Sequence, residues 1–360
     1  SMNQNESELD QHLDLVALGT AADIVPLVGE NRVITKFGLK QISRATKPGL
    51  KSLTFVSGLM GKDISTGQVV FILAPRINAL GRLGDAGEAV RLLATRDEIL
   101  AAEIARKLDS ENKRRKEIDR ATLQDALDQM YEVTDLEKDK AIVLAGEGWH
   151  QGVIGILASR VKEQFHRPVI AFADASEEEI KGSARSIPGF HIRDALDIVA
   201  KRHPELLQKF GGHAMAAGLS LQEQDFEKFQ QAFIDEASKQ LNDDALRGVI
   251  ESDGELSADE MNLPLAEALR SAGPWGQHFP EPIFDGEFEV DNWNIVGEKH
   301  LKMKLRSADS EDLIEAIAFN TSADELALTD GFIHAAYRLD VNCFRNQKTA
   351  QLIVEYFEAM

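Results

Sequence analysis

Three clusters combine glycine with basic or hydrogen-bonding side chains, and they are the residues of this chain best suited to chemistry. They are Arg76–Arg82 (RINALGR), Gly182–Arg185 (GSAR) and Gly211–Met215 (GGHAM). Glycine lets backbone amides approach a ligand closely, and the guanidinium fork of arginine matches phosphate oxygens in pairs. Together the clusters predict a cleft that holds a phosphodiester backbone.

Each of the first two clusters also has a structural interpretation. Arg76 and Arg82 flank Asn78 and Gly81, which we interpret as a tight turn; the two arginines either bracket an anion or form salt bridges. Ser183 and Arg185 fit a phosphate site, but serine and arginine are also common at strand ends.

The third cluster predicts an exposed nest that opens a helix. In that geometry Gly211 and Gly212 aim backbone amides, and His213 its imidazole, at an anion. His150, in a glycine-rich loop after a strand, is a second histidine of this kind. A structural role is the alternative for both histidines, and the remaining histidines have no metal-ligand spacing.

Asp14 lies in an apolar run that we interpret as a short buried strand over residues 13–17. A buried carboxylate is costly unless it is paired, hydrogen-bonded or bound to a metal. A strand-end carboxylate that caps backbone amides is the alternative, because hard cations prefer several oxygen ligands together.

A basic row interrupts the acidic C-terminal region, where residues 241–299 hold 14 acidic and 3 basic side chains. Over His300–Arg306 the alternation predicts that Leu301, Met303 and Leu305 face inward. The three cations between them, Lys302, Lys304 and Arg306, are expected to face outward. Such a row usually lies on a solvent-exposed face without a ligand, but small barrels also bind single-stranded nucleic acid through such faces. We interpret Trp275 and Trp293 as core residues rather than stacking platforms.

The bulk composition limits the class of protein. The chain has 360 residues, 43% hydrophobic content and a net charge of −20, which predicts a soluble multidomain protein and argues against a generic basic nucleic-acid coat. The single cysteine excludes an internal disulfide and favours a reducing compartment. We expect a cytoplasmic protein without a membrane span.

Secondary-structure signals divide the chain into regions. Ser65 or Thr66 is expected to cap a helix that runs towards Pro75. Thr95 and Glu98 have capping-box spacing and predict a long helix to about residue 133. Because residues 109–117 are polar all round, we expect this helix to bridge two domains across solvent.

The second half of the chain changes from an α/β pattern to short strands. Strands at 141–145 and 168–172 flank a glycine-rich loop and a helix, which predicts a parallel α/β sheet, closed by a helix at 226–241. Short alternating segments from residue 288 predict a small antiparallel barrel, with a brief helix at 265–271 along its edge.

Several stretches, in this order, resemble the RecJ family of single-strand-specific DNA exonucleases, in the DHH phosphoesterase superfamily. The matching stretches are Asp14–Leu27, Arg76–Leu83, Gly148–Gly155, Gly182–Arg185, Gly211–Gly218, Gly273–Gln277 and Phe279–Pro282. The resemblance implies an α/β multidomain fold: the C-terminal part of a DHH domain (1–110), a polar bridging helix (111–134), a DHH-associated α/β domain (135–242) and an OB-fold β-barrel (243–360).

The resemblance also implies site residues and partners. Asp14 would be a catalytic carboxylate and ligand of a two-metal Mn²⁺ or Mg²⁺ site, whose ions activate water and stabilise the leaving oxygen. Arg76, Ser183, Arg185 and His213 would hold phosphates near the five-prime end of single-stranded DNA. Single-strand-binding protein and a RecQ-type helicase would be partners of a monomer that acts in DNA repair and recombination.

One departure from the family pattern limits this expectation. The Asp-His-His signature and the upstream Asp-x-Asp motif do not occur in these residues. We therefore expect a truncated chain that binds single-stranded DNA and is catalytically incomplete. A smaller DHH-type oligonucleotide phosphodiesterase and a non-catalytic strand-binding module are the alternatives.

Overall fold

The computed structural model describes residues 10–83, 86–136, 138–175, 178–297, 300–308, 310–319, 321, 331–345 and 347–360. The chain divides into two compact units. Unit 1 comprises Ser1–Ala74 and Ile250–Met360, and unit 2 comprises Pro75–Val249. The domain limits expected from the sequence lie at other positions and stay predictions.

Unit 1 begins with helices. They are α1 (Leu13–Ala22), α2 (Gly29–Arg44), α3 (Pro48–Val56) and α4 (Thr66–Gln68), followed by a π-helical turn (Val69–Leu73) and α5 (Ala74–Leu83), at whose first residue the unit ends. The strand expected at residues 13–17 is wrong, because this run is part of α1. A five-residue apolar run cannot be distinguished from a buried helix by periodicity, and here the alanine-rich sequence continues it for ten residues.

The helix expected to begin near Ser65 is confirmed. Ser65 is its N-cap and forms a capping box with Gln68. The helix does not end at Pro75 but continues through it to Leu83. Pro75 has no amide hydrogen to donate, and the turn before it widens to π spacing, a common adjustment where the helical hydrogen-bond ladder is interrupted.

Helices α1 and α2 pack closely at Gly38. A Cβ atom at this position would lie 2.3 Å from Ala17 Cβ and 2.3 Å from the backbone oxygen of Leu13. We therefore expect Gly38→Ala to force the helices apart and to lower the free energy of unfolding by about 1–3 kcal/mol. Urea denaturation followed by circular dichroism measures this change.

Gly19→Ala is the matched control, because a Cβ there meets nothing within 4 Å. In a helix this exposed substitution is expected to leave stability unchanged or raise it by up to about 1 kcal/mol. Equal unfolding midpoints for the two variants would contradict close packing at Gly38.

The C-terminal part of unit 1 is a closed five-stranded barrel. The strands are β6 (Phe284–Val296), β7 (His300–Ser307), β8 (Leu313–Phe319), β9 (Phe332–Phe344) and β10 (Gln347–Ala359). They follow the order β10-β8-β7-β6-β9 around the barrel, and helix α11 (Leu263–Ala272) packs on β9 and β10. The predicted barrel is confirmed, although β8 and β10 pair in parallel. Trp293 is 46% exposed, so its interpretation as a core residue is wrong.

The Gly273–Gln277 stretch joins the barrel to the N-terminal helices of unit 1. The Leu27 amide donates to Gln277 O (2.7 Å) and Arg32 Nη2 to Ala272 O (2.6 Å). Arg32 also lies 4.0 Å from the centre of the Phe279 ring, which stacks on half-buried Trp275. These contacts give the stretch a structural role.

Unit 2 contains the long helix that the sequence predicts. Helix α6 (Gly87–Ala94) is followed by α7 (Glu98–Val133), which has 36 residues and is about 54 Å long. Its cap is Asp97 rather than Thr95: Asp97 Oδ1 accepts hydrogen bonds from the amides of Ile99 and Leu100. The polar segment of α7 is not solvated throughout. Its Asn112 and Arg115 are buried, as are Asp119 and Thr122 in the next turns of α7.

The rest of unit 2 is a five-stranded sheet with helices on both faces. Its elements are β1 (Ile142–Ala145), α8 (Ile154–Phe165), β2 (Val169–Asp174), β3 (Glu179–Arg185), α9 (Ile192–Arg202), β4 (Lys209–Gly212), β5 (Ala216–Gln222) and α10 (Phe226–Gln240). The strands lie in the order β1-β2-β3-β5-β4. The predicted β1–α8–β2 unit and its parallel pairing are confirmed. The remaining pairs are antiparallel, so the sheet is mixed and the prediction of a parallel sheet is wrong beyond this unit.

The two faces of this sheet are covered differently. Helices α9 and α10 pack on one face over β2, β3 and β5. On the other face, α8 and the end of α7 form a core with β1 and β2. Strands β3, β5 and β4 contribute no residue to that second core. Their side of this face carries polar and glycine residues, and we call it the open face.

Candidate functional site

The open face brings together residues from two of the three predicted clusters. Ser183 on β3 pairs with Gly218 on β5, and Gly218 pairs with Gly211 on β4. These three residues form one row across the sheet, which we call the glycine row. Gly211 and Gly218 are exposed, so two of its three positions leave the backbone uncovered.

Ser183, Arg185 and Gly155 form the most compact polar arrangement on this face. Arg185 Nη1 donates to Ser183 Oγ (3.2 Å) and to Ala184 O (2.8 Å). A Cβ atom at Gly155, in the first turn of α8, would lie 3.0 Å from Arg185 Nη2 and 3.1 Å from Ser183 Oγ. The absence of a side chain at Gly155 therefore leaves room for the guanidinium group beside the start of a helix, where backbone amides favour anions.

Two glycines of the clusters have structural roles. A Cβ at Gly182 would lie 2.6 Å from Phe172 Cε1, so Gly182 faces the core beneath α9 and α10. Gly212 has φ +149°, and a Cβ there would lie 2.4 Å from Ala216 O. Neither glycine can be replaced without strain.

The structure corrects the expected environment of His213. Gly211 and Gly212 end β4, and His213 begins the turn into β5, so these residues do not open a helix. The His213 amide donates to Ala216 O (2.8 Å), and Ala216 pairs with Arg185. His213 itself is exposed, and its contact with phosphate stays a prediction.

His150 lies in the loop that leads from β1 into α8. Its Nδ1 accepts a hydrogen bond from the Gly152 amide (2.9 Å), so the neutral ring carries its proton on Nε2 and presents a donor. Trp149 is buried beside it, and Asp125 Oδ2 accepts a hydrogen bond from its indole (2.7 Å). The loop therefore holds His150 at the surface five residues before Gly155.

The first cluster forms a helix rather than the tight turn we expected. Arg76 and Asn78 lie in α5, where Arg76 Nε donates to Asp109 Oδ1 of α7 (2.9 Å). Asn78 is exposed. Arg82 belongs to the same helix, but its side chain lies outside the described residues. Although partial burial raises it, hydrogen bonds from Lys113 and Arg76 hold the pKa of Asp109 below its usual value.

Positive charge is concentrated beside Arg76. Partial burial and the neighbouring guanidinium groups of Arg76 and Arg115 hold the pKa of Lys116 below its usual value, although the carboxylate of Asp109 acts in the opposite direction. Like charges raise the free energy of the protonated lysine. Arg76 and Arg115 are already paired with Asp109 and Asp119, so binding of phosphate in this region stays a prediction.

Asp14 is buried in α1, with its carboxylate already held by other groups. Lys47 Nζ lies 2.5 Å from both Oδ1 and Oδ2, and the Leu15 amide donates to Oδ1 (2.7 Å). Among the residues that the structure describes, no three histidine, cysteine, aspartate or glutamate side chains are grouped to hold a metal ion. These residues therefore do not fit a two-metal site, and we derive no step through one.

The basic row of β7 is largely neutralised within unit 1. Leu301, Met303 and Leu305 face the barrel core, as predicted. Lys302 Nζ pairs with Glu315 Oε1 (3.2 Å). Arg306 pairs with Glu289 (2.9 Å) and Asp291 (3.3 Å). Lys304 is exposed, and DNA binding by this row stays a prediction.

Gly155 and Lys116 were not singled out by the sequence reasoning. Gly155 lies inside a matching stretch, but its role depends on Arg185, which is thirty residues away and reaches it only through the fold. Lys116 lies in a polar helix segment in which Arg114, Arg115 and Lys116 are consecutive cations. This run of cations was the sequence signal from which Lys116 could have been identified.

Two family models match the chain: the DHHA1 domain at residues 138–239 and the RecJ OB domain at residues 252–356. Relatives named single-stranded-DNA-specific exonuclease RecJ include that of Dickeya dadantii, 46% identical over 98% of this chain and 62% of its own length. That of Escherichia coli is 44% identical over 96% of this chain and 61% of its own length. The chain thus spans about three fifths of these relatives.

A solved structure supports the same assignment. The crystal structure of RecJ in complex with Mg²⁺ from Thermus thermophilus matches 98% of this chain and 52% of that chain, with a TM-score of 0.81 and 29% identity. The two family models, the sequence relatives and this structure agree, and the chain belongs to the RecJ family.

Proposed function

We propose that this chain is the strand-holding part of a RecJ-type exonuclease, which hydrolyses phosphodiester bonds of single-stranded DNA from the five-prime end. The arrangement of Ser183, Arg185 and Gly155 carries this proposal. It combines a guanidinium fork, a hydroxyl group and a helix start around a space that a single Cβ would fill. Relatives over most of the chain are named as exonucleases of this specificity.

The chemistry assigned to this chain is binding and orientation. Arg185 would hold phosphate oxygens through its fork, with Ser183 donating a further hydrogen bond and the glycine row letting the backbone of the strand lie close to the sheet. The cations around Lys116 would neutralise a further part of the strand. Relatives have been solved with Mg²⁺ or Mn²⁺, and such an ion supplies an activated water in phosphodiester hydrolysis.

We further propose that these 360 residues hydrolyse DNA negligibly alone. The supporting observation is Asp14, whose carboxylate is held by Lys47. The remaining ligands would come from the part of the relatives' length that this chain does not span. In the parent protein we propose single-strand-binding protein and a RecQ-type helicase as partners, in DNA repair and recombination in the cytoplasm. The structure describes no helix that could span a membrane.

The test is a titration of the chain with a fluorescent, five-prime-phosphorylated single strand in the presence of Mn²⁺. We expect fluorescence anisotropy to rise with protein concentration and a gel to show intact strand. Absence of binding would refute the proposed function. Release of mononucleotides would refute the catalytic incompleteness.

The non-catalytic module is favoured over the small phosphodiesterase by one observation. The barrel of unit 1 matches the RecJ OB domain, whereas the small DHH relatives usually end after the DHH-associated domain. A strand of twelve nucleotides is expected to bind more tightly than a dinucleotide, and equal affinities would favour the small phosphodiesterase.

A further inference from the structure

Two lysines on the open face have no role in the function proposed above. Lys181 on β3 and Lys209 on β4 both pair with Ser220 of β5 from opposite sides. The three residues form a second row, parallel to the glycine row and two residues along the strands from it. Both lysines are exposed while Ser220 between them is only 6% exposed.

The orientation of this row follows from strand alternation. Ile180 and Ala184 lie in the core beneath α9 and α10, and a Cβ at Gly182 would point into it. Lys181, Ser183 and Arg185 therefore face the other way. On β5, Leu219 and Leu221 lie in that core, which places Ser220 on the open face. Lys209 faces the same side because it pairs directly with Ser220.

The spacing of the rows suits an extended polyanion. Lys181 lies four residues from Arg185 along β3, which is about 13 Å. The two lysine Cα atoms are two strands apart, about 10 Å, so both flexible side chains can reach one phosphate above Ser220. Between the lysines and Arg185 lies the glycine row, which presents no side chain larger than serine.

The charges around the row favour an anion there. Among the described residues, neither Lys181 nor Lys209 forms an ion pair, although the chain has 60 acidic residues for 40 lysines and arginines. Glu179, two residues before Lys181 on the same face of β3, is acidic. We therefore expect a DNA strand that follows this face to leave it after the lysines.

We propose that Lys181 and Lys209 form a phosphate subsite for a nucleotide downstream of the one held by Arg185. This inference rests on the proposed function and names residues through which the chain selects a longer single strand over a mononucleotide or dinucleotide. The lysines act on affinity through charge and do not touch the scissile bond. Their contribution is expected to be sensitive to salt.

The experiment compares K181Q/K209Q with wild-type chain by anisotropy, using a twelve-nucleotide oligothymidylate and a dinucleotide, both five-prime-phosphorylated, over a range of salt concentrations. We expect affinity for the twelve-nucleotide strand to fall roughly fivefold at low salt. The slope of log affinity against log salt should become shallower by about 0.7, the value for one phosphate contact on a single strand. Affinity for the dinucleotide should not change.

The matched control is K228Q/K239Q. It removes the same charge from exposed positions on α10, which packs on the other face of the sheet. If K181Q/K209Q binds the long strand as this control does while R185Q weakens binding, the subsite is refuted and the proposed function stands. If the wild-type chain and R185Q show no binding of either strand, the proposed function fails and the subsite fails with it.

Discussion

Lys47→Met is expected to lower the free energy of unfolding of unit 1 by about 3 kcal/mol or more. The Asp14 side chain is 2% exposed, whereas that of Lys47 is 25% exposed. Removing the ammonium group leaves a buried carboxylate with no opposite charge among the described residues, and burial of an unpaired charge is among the most costly changes in a protein. Lys47 also donates to the backbone oxygen of Gln11, so the variant loses a second contact.

Urea unfolding followed by circular dichroism measures this effect, and Lys36→Met is the control. Lys36 is exposed on α2, so its replacement should leave the unfolding midpoint in place. In the double variant D14N/K47M the buried group is neutral, and we expect part of the lost stability to return. Compared with the two single variants in a double-mutant cycle, it gives the interaction energy between the two side chains. If Lys47→Met unfolds at the same urea concentration as Lys36→Met, the buried pair does not contribute to stability.

The sequence predicts those parts of the fold that depend on local pattern. The strand, loop, helix and second strand from Ile142 to Asp174 follow one another with distinct periodicities, and short connections between parallel strands leave few other topologies. The barrel strand His300–Ser307 alternates without interruption. Helix α7 was predictable because its 36 residues contain no glycine or proline.

The errors arise where two structures share one local pattern. The apolar run at Leu13–Ala17 is compatible with a strand or a buried helix, and the packing of α1 on α2 at Gly38 decides between them. Gly211 and Gly212 suit both a helix start and a hairpin. Pairing of β4 with β5 selects the hairpin. That pairing is a contact between two segments, which the local sequence does not encode.

The residue types of the candidate site could be named from the sequence, but their arrangement could not. Ser183 and Arg185 were identified from residue type, since few side chains hold phosphate as well as arginine. The row that joins Ser183 to Gly211 depends on strand register across β3, β5 and β4. The pairing of Asp14 with Lys47 spans 33 residues, and no motif relates the two positions.

Arg185→Gln is expected to lower the affinity of the chain for five-prime-phosphorylated single-stranded DNA by about 10- to 100-fold. A hydrogen bond to a charged group contributes about 1.5–3 kcal/mol, and removal of the fork also leaves Ser183 without its present partner. Arg185→Lys should recover only part of the affinity, because an ammonium group cannot form the paired contacts of the fork. Anisotropy with the labelled strand measures all three proteins.

Arg193→Gln is the control, because Arg193 is exposed on α9, which packs on the other face of the sheet. If it weakens binding as much as Arg185→Gln, the effect reports overall charge rather than a site.

Gly155→Ala tests the same site without changing any charge. The added Cβ would press on the far end of the flexible Arg185 side chain and on Ser183 Oγ rather than on backbone, so these side chains can adjust at little cost in folding. Alanine is also favoured over glycine in a helix. We therefore expect an unchanged or slightly higher unfolding midpoint together with roughly fivefold weaker strand binding, as the guanidinium group is displaced from Ser183. Loss of affinity without loss of stability would separate a binding role of Gly155 from a packing role. Unchanged affinity would mean that the position of Arg185 beside α8 does not matter for the strand, and the phosphate contacts would then have to be sought elsewhere, at the cations around Lys116 or at the exposed Lys304 of the barrel.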